Sequence, residues 1–70
     1  MNYVDWIKEY KETAQYTDNL IQKYIKRKKE VHTEQELRNI ELKLHNLRIL
    51  RNRFITMAEL LSEHKNSIAE

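Results

Sequence analysis

Apolar residues recur at alternating steps of four and three along nearly the whole chain. The first run is Tyr3, Ile7, Tyr10, Ala14, Ile21 and Tyr24, with Thr17 filling the polar slot. The second is Leu37, Ile40, Leu44, Leu47, Phe54, Ala58, Leu61 and Ile68, interrupted by Arg51 and Lys65. A repeat of this spacing is a heptad seam on an α-helix. Ile7, Ala14, Ile21, Leu37, Leu44 and Ala58 take position a. Tyr3, Tyr10, Tyr24, Ile40, Leu47, Phe54, Leu61 and Ile68 take position d.

Between the two runs, Thr33-Glu34-Gln35-Glu36 fits a capping box, in which a threonine hydroxyl and a glutamate three residues later satisfy each other's amides. The cluster Lys26, Arg27, Lys28 and Lys29 just before it suits the negative end of a helix dipole. These signals predict helix 1 at about residues 2–30, a turn at about 31–33 and helix 2 at about 34–67. The expected architecture is all-α: an antiparallel, coiled-coil-like two-helix hairpin forming one domain over residues 1–70. A single unbroken helix is the competing reading, because the turn contains neither Gly nor Asn.

Folding back at residue 32 stacks the seam in layers: Tyr24/Ile40, Ile21/Leu44, Thr17/Leu47, Ala14/Arg51, Tyr10/Phe54, Ile7/Ala58 and Tyr3/Leu61. Small residues face large ones in two of these layers, as interdigitated packing prefers. In an antiparallel pair e positions face e and g positions face g, so Asp18 is expected beside Arg48, and Arg27 beside Glu36. Arg51, at an a position, is expected to lay its stem over Ala14 and carry its head into solvent. The sharper alternative is that it meets a carboxylate or tyrosine of another chain.

One stripe per helix does not accommodate all the apolar residues. Trp6, Leu20, Leu50 and Met57 fall at g positions and form a second seam along one edge. Leu42 and Ile49 fall at f positions, away from helix 1. Val4, Ile25 and Ile55 add apolar character on the e side. Burying a Leu, Ile or Met side chain is worth about 1.5–3 kcal/mol. The six residues Trp6, Leu20, Leu42, Ile49, Leu50 and Met57 therefore form the expected protein interface. A four-helix bundle made by dimerisation, or docking on another protein, would cover them.

Composition sharpens this picture. Gly 0 and Pro 0, where about eight such residues are usual in this length, remove the common breakers and favour long helices. Cys 0 excludes disulfides and thiolate metal sites. A chain of 70 residues hides only about 60% of its unfolded surface, so association is the remaining route to stability. The longest nearly apolar stretch, 54–61, is too short for a membrane span and contains Glu59. No basic segment followed by an apolar run opens the sequence, and the expected location is cytoplasmic.

Net charge is +2, unevenly distributed: −2 over residues 1–22, +6 over 23–53 and −2 over 54–70. Lys23, Lys26, Arg27, Lys28, Lys29, Arg38 and Lys43 would crown the closed end of the hairpin. Such a tip suits nucleic-acid phosphates or another anionic partner, although a lysine-rich helix end is also a common solvated cap.

Catalytic chemistry is not indicated. His32, His45 and His64 have no metal-ligand spacing, and Ser62 and Ser67 lack a histidine–acid partner set. Phosphate loops are impossible without glycine. The expected function is therefore non-enzymatic: a small regulator, adaptor or inhibitor acting through its helical surface, with no cofactor and no small-molecule substrate. Its partner would be a homodimer mate, a larger homo-oligomer or a larger protein target. A nucleic-acid-binding module using the basic tip is the alternative.

Overall fold

The computed structural model describes the backbone from Tyr3 to Ala69 and side chains from Tyr3 to His64. Two helices account for almost all of it: α1, Tyr3–Lys28, and α2, Glu34–Ala69, packed against each other with no strand among the described residues. The pair is long and thin, 56 × 15 × 14 Å. No helix among the described residues is long and apolar enough to cross a membrane.

The reversal occupies 29–33, two residues more than the expected turn. Helix α1 ends at Lys28 because its last turn tightens: the Lys29 amide donates to the Lys26 carbonyl at 3.2 Å, and Glu30 to Arg27 at 3.0 Å. These three-residue bonds satisfy carbonyls that an α-helix end leaves open. No described residue has positive φ, so the chain turns without the left-handed conformation that calls for glycine. Helix α2 begins as anticipated, with the Glu36 amide donating to Thr33 Oγ1 at 3.2 Å. Val31, half-buried, packs on the core beside Tyr24 and Ile25.

Every buried residue among those described belongs to the heptad seam: Ala14, Thr17, Ile21, Ile40, Leu44 and Ala58. The densest cluster, Ile21 with Ile40 and Leu44, lies in the closed half, and Leu47 packs against it. Thr17 is tolerated there because its hydroxyl donates to the Thr13 carbonyl at 2.8 Å. Towards the open end the Tyr10 and Phe54 rings meet with centroids 6.2 Å apart, the layer expected from the fold-back. Ile68 and Lys65 lie outside the described side chains. A core with three large buried aliphatic side chains among the described residues, Ile21, Ile40 and Leu44, is smaller than independent small domains use.

The polar pairing differs from expectation at Asp18. Its carboxylate accepts from Arg51 Nη1 at 3.0 Å, rather than pairing with Arg48. Arg51 also donates to Asn52 Oδ1 at 3.4 Å. Its head is therefore folded back onto its own hairpin instead of extending into solvent. The cause is local room: the small Ala14 opposite lines one groove with both side chains, so the guanidinium lies within reach of the e-position carboxylate. Arg27 and Glu36 share one groove with Tyr24, Val31 and Lys43, and no ion pair forms between them among the described residues.

Candidate protein interface

Around a helix, d positions neighbour g and a positions neighbour e. Large d residues in this sequence therefore lean towards the g edge, and the small a residues Ala14 and Ala58 towards the e edge. The consequence is two unlike edges. On the g edge, Tyr10, Phe54 and Leu61 from the seam join Trp6 and Met57 to wall a groove of about 450 Å³, with Glu9 and Thr13 completing it. Trp6 and Met57 are each 40% exposed, large for side chains of that character. The Trp6 ring is held edge-on by Tyr3 at 5.7 Å, and Tyr3 in turn contacts the ring of His64 at 5.0 Å. Thr13 Oγ1 donates to the Glu9 carbonyl at 2.9 Å, so the polar atom beside the apolar wall is already satisfied. The groove can thus take an apolar group without stranding that hydroxyl.

The e edge carries a wider groove of about 630 Å³, lined by Ala14, Ala58 and Ile55, with the Asp18–Arg51 pair in it and Lys11, Gln15 and Glu59 around it. Its volume is larger, but charged side chains rim it and it has no aromatic anchor. Binding energy in protein interfaces concentrates on buried aromatic and large apolar side chains. The smaller g-edge groove is the better candidate on that ground.

Trp6 and Met57 thus come together, as the sequence predicted for one edge. Leu20 does not join them. It is half-buried one step further along the edge, where it lines a second groove with Tyr24, Lys23, Lys26, Arg27 and Glu30. Leu50 is exposed on the same edge and lines neither groove. Leu42 and Ile49 are exposed on the outer face of α2, Leu42 at 62%. Two further exposed residues, Tyr16 at 65% and Leu60, were not singled out from the sequence. Both occupy c positions, and an isolated apolar residue at c carries no periodic signal.

The basic residues of the closed end divide into two groups. Lys28 reaches Glu41 at 3.5 Å, Arg38 pairs with Glu34 at 3.1 Å, and Lys43 sits 5.4 Å over the Tyr24 ring. Lys23, Lys26, Arg27 and Lys29 are exposed and make no ion pair within 4.0 Å among the described residues. Among those residues, no three His, Cys, Asp or Glu side chains gather into a metal-holding group. Comparison with protein-family models, curated proteins and solved structures finds no match for this chain.

Proposed function

We propose that this chain is a non-enzymatic interaction module that completes its core by associating with further helices through the g edge, as a small regulator or adaptor. The observation that carries the reading is the groove walled by Trp6, Tyr10, Phe54, Met57 and Leu61 beside a core of six buried residues among those described. Burying the exposed part of Trp6, Met57 and Leu50 adds apolar contact that the hairpin cannot supply by itself.

The test is sedimentation equilibrium and far-UV circular dichroism at micromolar concentration. The native chain is expected to assemble. Met57→Lys is expected to reduce assembly and helicity together, since an unpaired charge in an interface core is costly. Gln15→Ala, a charge-neutral change beside the e-edge groove, is the control and should change neither. Native mass and helicity retained by Met57→Lys would overturn the reading.

A second reading is favoured by Lys23, Lys26, Arg27 and Lys29, which lie clear of ion pairs among the described residues. These four could contact nucleic-acid phosphates. The accompanying cations Lys28, Arg38 and Lys43 are engaged within the chain, which makes this the weaker proposal. Binding to a labelled duplex that falls steeply between 50 and 200 mM salt (roughly the range over which phosphate contacts are screened) would support it.

A further inference from the structure

The g edge has a feature that a docking surface for an unrelated protein does not need: its two ends complement each other. Trp6 lies seven residues before Thr13 and Leu20 seven residues after it, each about 10 Å from it along α1. At the Trp6 end is the aromatic groove, with Glu9 as its charged member. At the Leu20 end is the second groove, where Lys23, Lys26 and Arg27 outnumber the single carboxylate Glu30. An apolar, acidic site and an apolar, basic site thus stand on one edge, evenly spaced about its middle.

Charge over residues 3–64 follows the same division. The open half, residues 3–13 with 52–64, holds three cations against five carboxylates, net −2. The closed half, residues 14–51, holds nine against five, net +4. Two hairpins lying side by side in the same direction would put +4 against +4. Laid in opposite directions, each +4 half meets a −2 half.

Resting on the interaction reading above, we propose that the occupant of the g edge is a second copy of this chain, packed lengthwise and head to tail about a two-fold axis beside Thr13. In such a self-complementary contact, a residue that meets another is met by it in return. Trp6 of each copy lies against the partner copy's Leu20 groove, and the open half of each lies along the closed half of the other. Area supports full-length overlap. An edge 56 Å long and 15 Å wide projects about 800 Å², the area per partner of a standard stable interface. Contact at the Trp6 groove alone covers a fraction of that.

The chain has no cysteine, so a single nitroxide can be placed at His32→Cys, an exposed position in the reversal and away from the g edge. Pulsed electron–electron resonance on the full chain then reads the distance between tips. Head-to-tail packing about Thr13 puts each tip 19 residue-steps from the axis, a separation on the order of 55 Å. Parallel packing brings the tips within about 20 Å, given interhelical spacings of roughly 10 Å. Sedimentation of the same labelled sample supplies the mass. The expected result is a dimer with the long distance, whose dissociation constant rises several-fold from 50 to 500 mM NaCl as attraction between the halves is screened. A dimer with the short distance, or one that tightens with salt, overturns the head-to-tail arrangement and leaves the interaction reading standing. A monomer at 100 μM overturns the second copy as occupant. If Met57→Lys also leaves helicity unchanged, the interaction reading falls with it.

Discussion

Replacing Arg51 with leucine is expected to stabilise the hairpin. Arg51 occupies an a position, and its Nε is buried with no hydrogen-bond partner among the described residues. A buried, unsatisfied donor costs about 1–3 kcal/mol. Against that stands the contact between Arg51 Nη1 and Asp18. The two side chains are 31% and 36% exposed, so solvent screens the pair to about 0.2–1 kcal/mol. Leucine removes the stranded donor and adds partial apolar burial over Ala14. The net gain is on the order of 1–2 kcal/mol, or roughly 5–10 °C in Tm for a chain of this size. Asp18→Asn should shift Tm down by only a few degrees, since it weakens the pair and leaves Arg51 in place. Thermal melts by circular dichroism, at one fixed protein concentration because association raises Tm by mass action, measure both. The Asp18–Arg51 pair lies on the e edge, so the mass of the assembly should not change. A lower Tm for Arg51→Leu than for the native chain would refute the reasoning, and would mean that the ion pair outweighs the buried donor.

Two further changes probe the core and the turn. Leu44→Ala removes the centre of the Ile21–Ile40–Leu44 cluster and should cost about 2–5 kcal/mol, enough to abolish most far-UV helicity at 37 °C. Thr33→Ala deletes the oxygen that accepts the Glu36 amide and should lower stability by about 1 kcal/mol, read as a fall in Tm of about 4–8 °C with no change in assembled mass.

Regular helix and buried seam were legible in the sequence because each rests on local physics. Spacing of three and four brings side chains to one helix face whatever lies opposite, so the buried set Ala14, Thr17, Ile21, Ile40, Leu44 and Ala58 could be drawn from the pattern. The Thr33 cap was legible for a similar reason, since donor and acceptor lie three residues apart. A turn without glycine was the doubtful point. It closes because short-range bonds from Lys29 and Glu30 tighten the end of α1 while every described residue keeps negative φ.

Three-dimensional packing decided what depended on facing surfaces. Heptad position alone assigned Asp18 to Arg48, but the small Ala14 leaves a channel in which the Arg51 guanidinium turns back to Asp18. The two cations are three residues apart on one helix, and only the packed geometry chooses between them. The interface residues divided in the same way. Their apolar surplus could be counted along the chain, whereas the groove needs d-position aromatic rings from both helices leaning to the same edge. That convergence joins Trp6 to Met57 and sets Leu20 apart among lysines. A one-dimensional pattern states how much apolar surface a chain carries. Which of it becomes a groove is set by the rotation and spacing of two helices, because a wall shared between them exists only once they have met.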